Sequence, residues 1–333
     1  MNLSIPHRFW HVLRRIATIT LHCLFIALLL LLTLYSCARL LATALITEQT
    51  TPQVPLNAAA IVTTDGKQFP LNQLSTALRA NQQANPKPHQ HLITLVHGMG
   101  DYPDKAFREG VFSRITDWHN ADVLLFNWPS WVGFRTLPVI NAQQSGNTLK
   151  DYLQALNALP ANTDLTARYK TRSLWVHSMG ARVLASLTQT NTTNLPTDLF
   201  DTLVIIAAEI DVRNHAQWLE KITFAKRIFV LINSNDPVLK PPEAYFERNR
   251  LGRSLVRIDG TKERLARNAT YIHIDQGSPS HSYHVRKRSK NLQRLFQLIV
   301  ADKPLKQAKN ILLKTPQENL FYLKADTPTP TSQ

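Results

Sequence analysis

Between residues 91 and 300 the chain alternates short unbroken apolar runs with longer segments of helical period. The runs are His91 to Val96, Val123 to Trp128, Ser173 to His177, Thr202 to Glu209, Arg227 to Asn233 and Tyr271 to Asp275. Runs of that length, rich in Val, Ile, Leu and aromatics, suit strands buried on both faces. The helix-length segments between them suit right-handed βαβ crossovers. The predicted class is therefore α/β, a mostly parallel sheet with helices on both faces. In such sheets ligands bind beyond the carboxyl ends of the strands, so the loops after these runs are where chemistry is sought.

Outside that region the pattern changes at both ends. Ile16 to Tyr35 carries no formal charge over about twenty residues, the length that crosses the hydrocarbon of a bilayer. Arg8, Arg14 and Arg15 precede it, so the positive-inside rule keeps the N-terminus in the cytoplasm and places the rest on the periplasmic or extracellular side. Two fates stay open, a retained signal anchor or a cleaved signal peptide. Leu34-Tyr35-Ser36-Cys37 resembles a bacterial lipobox, in which the cysteine is lipidated after cleavage, although Tyr35 is larger than the usual residue there. Either fate tethers the domain. Residues 1–47 are thus read as a targeting segment. Residues 48–90 are read as a linker, with an edge strand near Ala58 to Thr63, a short helix near Leu71 to Leu78 and a polar stretch from Asn81 to Pro88. Residues 91–313 form the main domain, and 314–333 a polar, disordered tail.

The chemistry concentrates at three strand ends. Val176-His177-Ser178-Met179-Gly180 joins a strand to a helix beginning at Gly180, which places Ser178 at a strand-to-helix turn of the kind that exposes a nucleophile. The usual pattern is G-x-S-x-G, and Val176 stands where the first glycine belongs. His97-Gly98-Met99-Gly100 follows the first apolar run, the place of one oxyanion-hole donor, so the Met99 and Met179 amides are the candidate donors. No G-K-[ST] follows these glycines, which argues against a phosphate-binding loop. A serine nucleophile needs a base and an acid in the chain order Ser, Asp or Glu, His. Asp236, in Asn235-Asp236-Pro237, and His281, in Ser280-His281-Ser282, fall on strand-end loops in that order. Glu209 and Asp211 are rival acids, and His284 is a rival base. His97, Gly98, His177 and Gly180 are expected to support the two loops, the histidines through hydrogen bonds.

These segments together resemble the bacterial alpha/beta hydrolases of unknown function: a strand plus His97-Gly98, Trp128-Pro129-Ser130, His177-Ser178-Met179-Gly180, Asp236, and His281-Ser282-Tyr283. The resemblance spans roughly Leu92 to Val300 and implies an alpha/beta-hydrolase fold with Ser178, Asp236 and His281 as triad. It also favours His281 over His284. One departure is Glu209, where relatives often carry aspartate. The fold hosts many chemistries and names no substrate.

Composition adds limits. The only cysteines, Cys23 and Cys37, lie in the N-terminal forty residues, so the rest of the chain forms neither an internal disulfide nor a thiolate metal site. No metal or organic cofactor is expected. Trp128, Trp131 and Phe134 follow a strand end and are candidates for an apolar acyl pocket, although aromatics beside a sheet are more often core. The formal charge of +15 favours anionic surfaces. Arg286-Lys287-Arg288-Ser289-Lys290 reads as the solvated start of a final helix, or as a patch facing an anionic membrane. Nucleic acid is not an expected partner, since no recognition motif accompanies the charge. The expected function is a membrane-tethered serine hydrolase of esterase, lipase or thioesterase type acting on an acyl ester or lipid substrate. The alternative is an inactive hydrolase-fold scaffold, which the absent elbow glycine leaves open.

Overall fold

The computed structural model describes residues 18–35, 47–49, 59–85, 88–100, 108–132, 136–159, 168–190, 195–286 and 288–327. The lipobox cysteine Cys37, most of the 48–55 segment, Phe134, Lys287 and residues 328–333 lie outside that set. The chain divides into two units, 1–47 and 48–333.

In the first unit, helix α1 (Thr18–Tyr35) has 18 residues and no buried side chain. At about 1.5 Å per residue it is long and apolar enough to cross a membrane. Its polar side chains bond within the helix: Thr33 Oγ1 donates to Leu29 O at 2.9 Å, and His22 Nδ1 lies 2.8 Å from Thr18 O. A helix in lipid has to satisfy its polar groups internally in this way.

The second unit is built on a ten-stranded sheet. Its strands are β1 (Ala60–Val62), β2 (Gln68–Pro70), β3 (His91–Val96), β4 (Ala121–Asn127), β5 (Thr171–His177), β6 (Phe200–Ile206), β7 (Ala225–Ile232), β8 (Ala269–His273), β9 (Leu312–Lys314) and β10 (Leu320–Leu323). They lie in the order β9-β10-β8-β7-β6-β5-β3-β4-β1-β2. Every pair from β10 across to β4 is parallel, and the outer pairs β10–β9, β4–β1 and β1–β2 are antiparallel. The helices are α2 (Leu74–Ala84), α3 (Ser113–His119), α4 (Val139–Asn157), α5 (Gly180–Thr190), α6 (His215–Leu219), α7 (Lys240–Phe246) and α8 (Lys290–Val300).

Strand alternation explains the two helical layers. Successive side chains on a strand point to opposite faces. Ile93 and Leu95 of β3, with Trp175 of β5, share a buried cluster with Ile115 of α3 and Leu292, Leu295, Phe296 and Ile299 of α8. Thr94, between Ile93 and Leu95, meets Tyr152 of α4 from the other face, their hydroxyls 2.7 Å apart. Both faces of the central strands are covered, which is why their sequences read as unbroken apolar runs.

Two expected boundaries move. The segment taken as a linker with an edge strand and a short helix supplies β1, β2 and α2 to the same unit as the main sheet. Two of its polar residues, Asn81 and Asn85, are held by partners. Asn81 Oδ1 accepts from Thr64 N at 2.8 Å, and Asn85 Nδ2 donates at 3.0 Å to the buried Asp122 carboxylate at the start of β4. At the other end, the tail expected from 314 carries β10, which pairs with β8 through Tyr271↔Leu320 to His273↔Tyr322. Leu320, Phe321 and Leu323 are the apolar residues that a composition-based reading of the tail passed over.

Candidate active site

Ser178 follows β5 directly and adopts φ +53. A non-glycine residue in the left-handed region costs about 1–3 kcal/mol and persists only where its surroundings over-determine it. Here both backbone groups are fixed to the neighbouring strand end. Ser178 N donates to Ile206 O at 2.9 Å, and Ser178 O accepts from Glu209 N at 3.0 Å. Val176, at the position of the absent elbow glycine, is an inward-facing strand residue with no exposure. The close approaches fall elsewhere. A Cβ on Gly98 would sit 2.7 Å from Ser178 Cβ, and a Cβ on Gly180 would sit 2.7 Å from Val96 O. Clearance for the serine therefore comes from the facing loop after β3 and from the first residue of α5.

The loop after β3 is held by its histidine. His97 Nδ1 lies 2.8 Å from Gly98 O, its Nε2 lies 3.2 Å from Trp128 N, and Trp128 Nε1 donates to His97 O at 2.8 Å. The two rings also stack, with centroids 5.7 Å apart. Trp128 is buried, so it clamps this turn rather than lining a pocket, a correction to the acyl-pocket expectation. Trp131 is exposed and lies over the turn, with two ring atoms 3.3 Å from where a Gly100 Cβ would stand. Among the described residues, the Met99 and Met179 amides have no hydrogen-bond acceptor.

Asp236 lies on the loop after β7 and is fully buried. Its Oδ2 receives His281 Nδ1 at 2.7 Å, and its Oδ1 accepts from Val238 N at 2.9 Å and Leu239 N at 3.3 Å. His281 comes from the loop after β8, with its side chain mostly buried. That loop is tied to β7 by Asn233, whose Nδ2 donates to Ser278 O at 2.9 Å. Tyr283 secures the next stretch: its hydroxyl accepts from Ala207 N at 2.8 Å, and Ala207 itself has φ +48. The serine turn, the end of β6 and the histidine loop thus share one hydrogen-bonded frame. The Ser178 hydroxyl itself is not bonded to His281 or to any other described residue.

The rival acids are occupied. Glu209 accepts from Arg182 Nε at 2.7 Å and lies 3.1 Å from Arg250 Nε, both partners being arginines of the unit's interior side. Asp211 is paired with Arg213, whose Nε donates to it at 2.7 Å. His284, the rival base, is buried between His177 and Trp175, at ring-centroid distances of 4.4 and 6.4 Å, with no carboxylate on it among the described residues. Burial, and then the neighbouring His177 and His281, push its pKa well below the ordinary histidine value. His177 packs against His281 as well, at 4.8 Å between centroids, so it meets the histidine loop through ring contact. A cavity of about 30 Å³ lies between Leu95, His97, His177 and His284. Among the described residues no cluster of three or more His, Cys, Asp or Glu could hold a metal ion.

The basic cluster also differs from expectation. Arg286 and Lys290 are exposed, but Arg288 is folded inward, with its guanidinium carbon 4.4 Å from the Trp118 ring centroid and 4.8 Å from that of Phe296. Ser289 is not a mere solvated residue either: it caps α8, its Oγ accepting from Leu292 N at 3.1 Å. Asn233, Arg182, Arg250 and Arg288 were not legible as site residues, because each acts through a partner far away in sequence.

No family model matches this sequence, and no curated protein matches it. Solved structures do. A cold-adapted esterase from an Arctic intertidal metagenomic library has 12% identity and TM-score 0.38, covering 64% of this chain and 84% of its own. An esterase of Pyrococcus furiosus has 12% identity and TM-score 0.36, covering 79% and 98%. Carboxyl esterase 2 from the fungus Tuber melanosporum has 12% identity and TM-score 0.36, covering 77% and 91%. At such identity the chemistry has to come from the site itself. The sheet order, with a strained serine turn after β5, a buried carboxylate after β7 and a histidine after β8, is that of an alpha/beta-hydrolase fold.

Proposed function

We propose that this chain is a serine hydrolase acting on ester bonds, with Ser178 as nucleophile, His281 as base and Asp236 as the acid that orients it. The observation that carries this is the 2.7 Å bond from His281 to a fully buried Asp236, on the strand edge where Ser178 is held at φ +53. Asp236 fixes the proton on His281 Nδ1, which makes Nε2 the acceptor nitrogen. The step needs the Ser178 hydroxyl on that nitrogen, a bond of the kind that often tightens only when substrate binds. His281 takes the serine proton while Oγ attacks the ester carbonyl carbon. The oxyanion then accepts hydrogen bonds from the Met99 and Met179 amides, each worth about 3 kcal/mol. Collapse expels the alcohol, which carries the proton from His281, and a water activated by the same histidine releases the acid.

The substrate is an acyl ester at or near a membrane. α1 is the tether, as a retained anchor or as part of a lipoprotein signal ending at Cys37, and the domain lies on the periplasmic or extracellular side. Exposed Arg286 and Lys290 add to the attraction of an anionic surface.

One experiment tests both parts. A fluorophosphonate probe is applied to membranes from cells producing the full chain, which are then extracted with alkaline carbonate. Labelling is expected in the carbonate-resistant pellet and is expected to vanish in Ser178→Ala. A folded protein that takes no label and hydrolyses no ester in a chain-length panel would make it an inactive scaffold. Labelled protein in the supernatant would remove the tether.

A further inference from the structure

We infer that Arg288 is a positioning residue for the proposed catalytic histidine, acting through the turn from His281 to Val285. This rests on the proposed role of His281.

Arg288 Nη1 donates to His284 O at 2.7 Å and to Tyr283 O at 3.1 Å. These are consecutive carbonyls of the turn that carries His281, and both residues are buried. Nη2 lies 3.3 Å from His119 Nε2. The guanidinium plane is held between the Trp118 and Phe296 rings. Among the described residues it has no carboxylate partner. Its counter-charges are two carbonyl dipoles and two aromatic faces. Burial brings its pKa down only to about 10, so it stays protonated at neutral pH.

A cation in this place costs desolvation and gains no ion pair, which is a poor arrangement for stability alone. What it does supply is geometry. The planar fork reaches two successive carbonyls at once, and the rings fix the plane of the fork. Without it, two buried carbonyls lose their donor. The turn would then be free to settle into the cavity of about 30 Å³ beneath it, between Leu95, His177 and His284. His281 has its ring against His177 and its Nδ1 on Asp236, so a shift of the turn misaligns Nε2 with Ser178. Asn233 and the Tyr283 hydroxyl tie the loop to the ends of β7 and β6, and Arg114 Nη1 donates to Val285 O at 2.8 Å, so Arg288 is the clamp on the two carbonyls of Tyr283 and His284.

The test compares Arg288→Met, Arg288→Lys and a control at Arg267, whose side chain is 89% exposed, Arg267→Met, in the full chain in detergent. The readouts are steady-state hydrolysis of a short soluble ester and the low-field proton resonance of the His281–Asp236 hydrogen bond. Arg288→Met is expected to lower kcat by about 10- to 100-fold, with KM nearly unchanged, and to broaden or shift the low-field proton. Arg288→Lys, which keeps the charge but not the fork, should fall between it and wild type. Arg267→Met should match wild type. Should the Met variant fail to fold, Lys carries the same test. Wild-type kcat and an unmoved low-field proton in a folded Arg288 variant would overturn the inference. A wild-type protein that hydrolyses no ester fails the esterase proposal instead, and the proton signal still reports on the clamp.

Discussion

At the scale of single residues, the site depends on what Asp236 accepts. Both of its oxygens are engaged, Oδ1 by two backbone amides and Oδ2 by His281, so its orientation is fixed from both sides. Asp236→Asn keeps the shape but presents an amide that favours the wrong histidine tautomer, with the proton on Nε2 where Ser178 needs an acceptor. kcat for a soluble ester is expected to fall by about 10⁴-fold, with the circular dichroism spectrum unchanged. Activity within a few-fold of wild type would take Asp236 out of the mechanism. Val176 belongs to the same scale. Its side chain is buried in the sheet, and the close approaches fall on Gly98 and Gly180, so the departure from G-x-S-x-G leaves the serine turn intact.

At the scale of elements, the loop after β6 carries a buried charge set beside the serine turn. Glu209 joins Arg182 of α5 to Arg250, whose side chain is only 2% exposed, while the Glu209 amide holds Ser178 O. Burial lowers the Arg250 pKa from its ordinary value, the mark of a cation that depends on its partner. Removing one member leaves an uncompensated buried charge, which costs about 3–5 kcal/mol. Glu209→Gln should therefore shift the urea midpoint strongly. Asp211→Asn, at a pair whose arginine is 45% exposed, should change stability by about 1 kcal/mol or less. Equal shifts in the two variants would show that the Glu209 set does not hold the loop. The Glu209 side chain is long enough to reach both arginines at once.

At the scale of the whole molecule, burial of histidines links stability to pH. Burial, and then Arg288, lower the His119 pKa to about 3, and burial also holds that of His284 well below the ordinary value. Both are neutral in the fold. In the unfolded chain they titrate near 6.5, so below that pH the unfolded state binds protons that the folded state does not, and stability falls as pH falls. For His119 the loss begins near pH 6.5 and grows until the pH reaches its folded value of about 3. Between pH 7.5 and 5.5 the expected loss is about 1 kcal/mol for each such histidine. Urea denaturation at the two pH values measures it. A midpoint that does not fall at pH 5.5 would mean that these rings are hydrated in solution.

The linear pattern of the chain determined its α/β class, the positions of the central strands, the apolar N-terminal helix, and the loops bearing Ser178, Asp236 and His281, because strand burial and strand-end turns leave local signatures. It marked an edge strand at β1 but did not show β10, which is short and whose pairing with β8 depends on a partner at a distance. The Asn-Asp-Pro turn favoured Asp236 over Glu209 and depth in the loop favoured His281 over His284, but neither signal paired a carboxylate with an imidazole. Only the fold decided which carboxylate meets which imidazole, that Trp128 clamps a turn while Trp131 stays exposed, and that Arg288 leaves the basic cluster to sit between two rings. The physical reason is common to all of these: hydrogen bonds, ion pairs and ring contacts between residues remote in sequence have no period along the chain, and only packing brings their partners together.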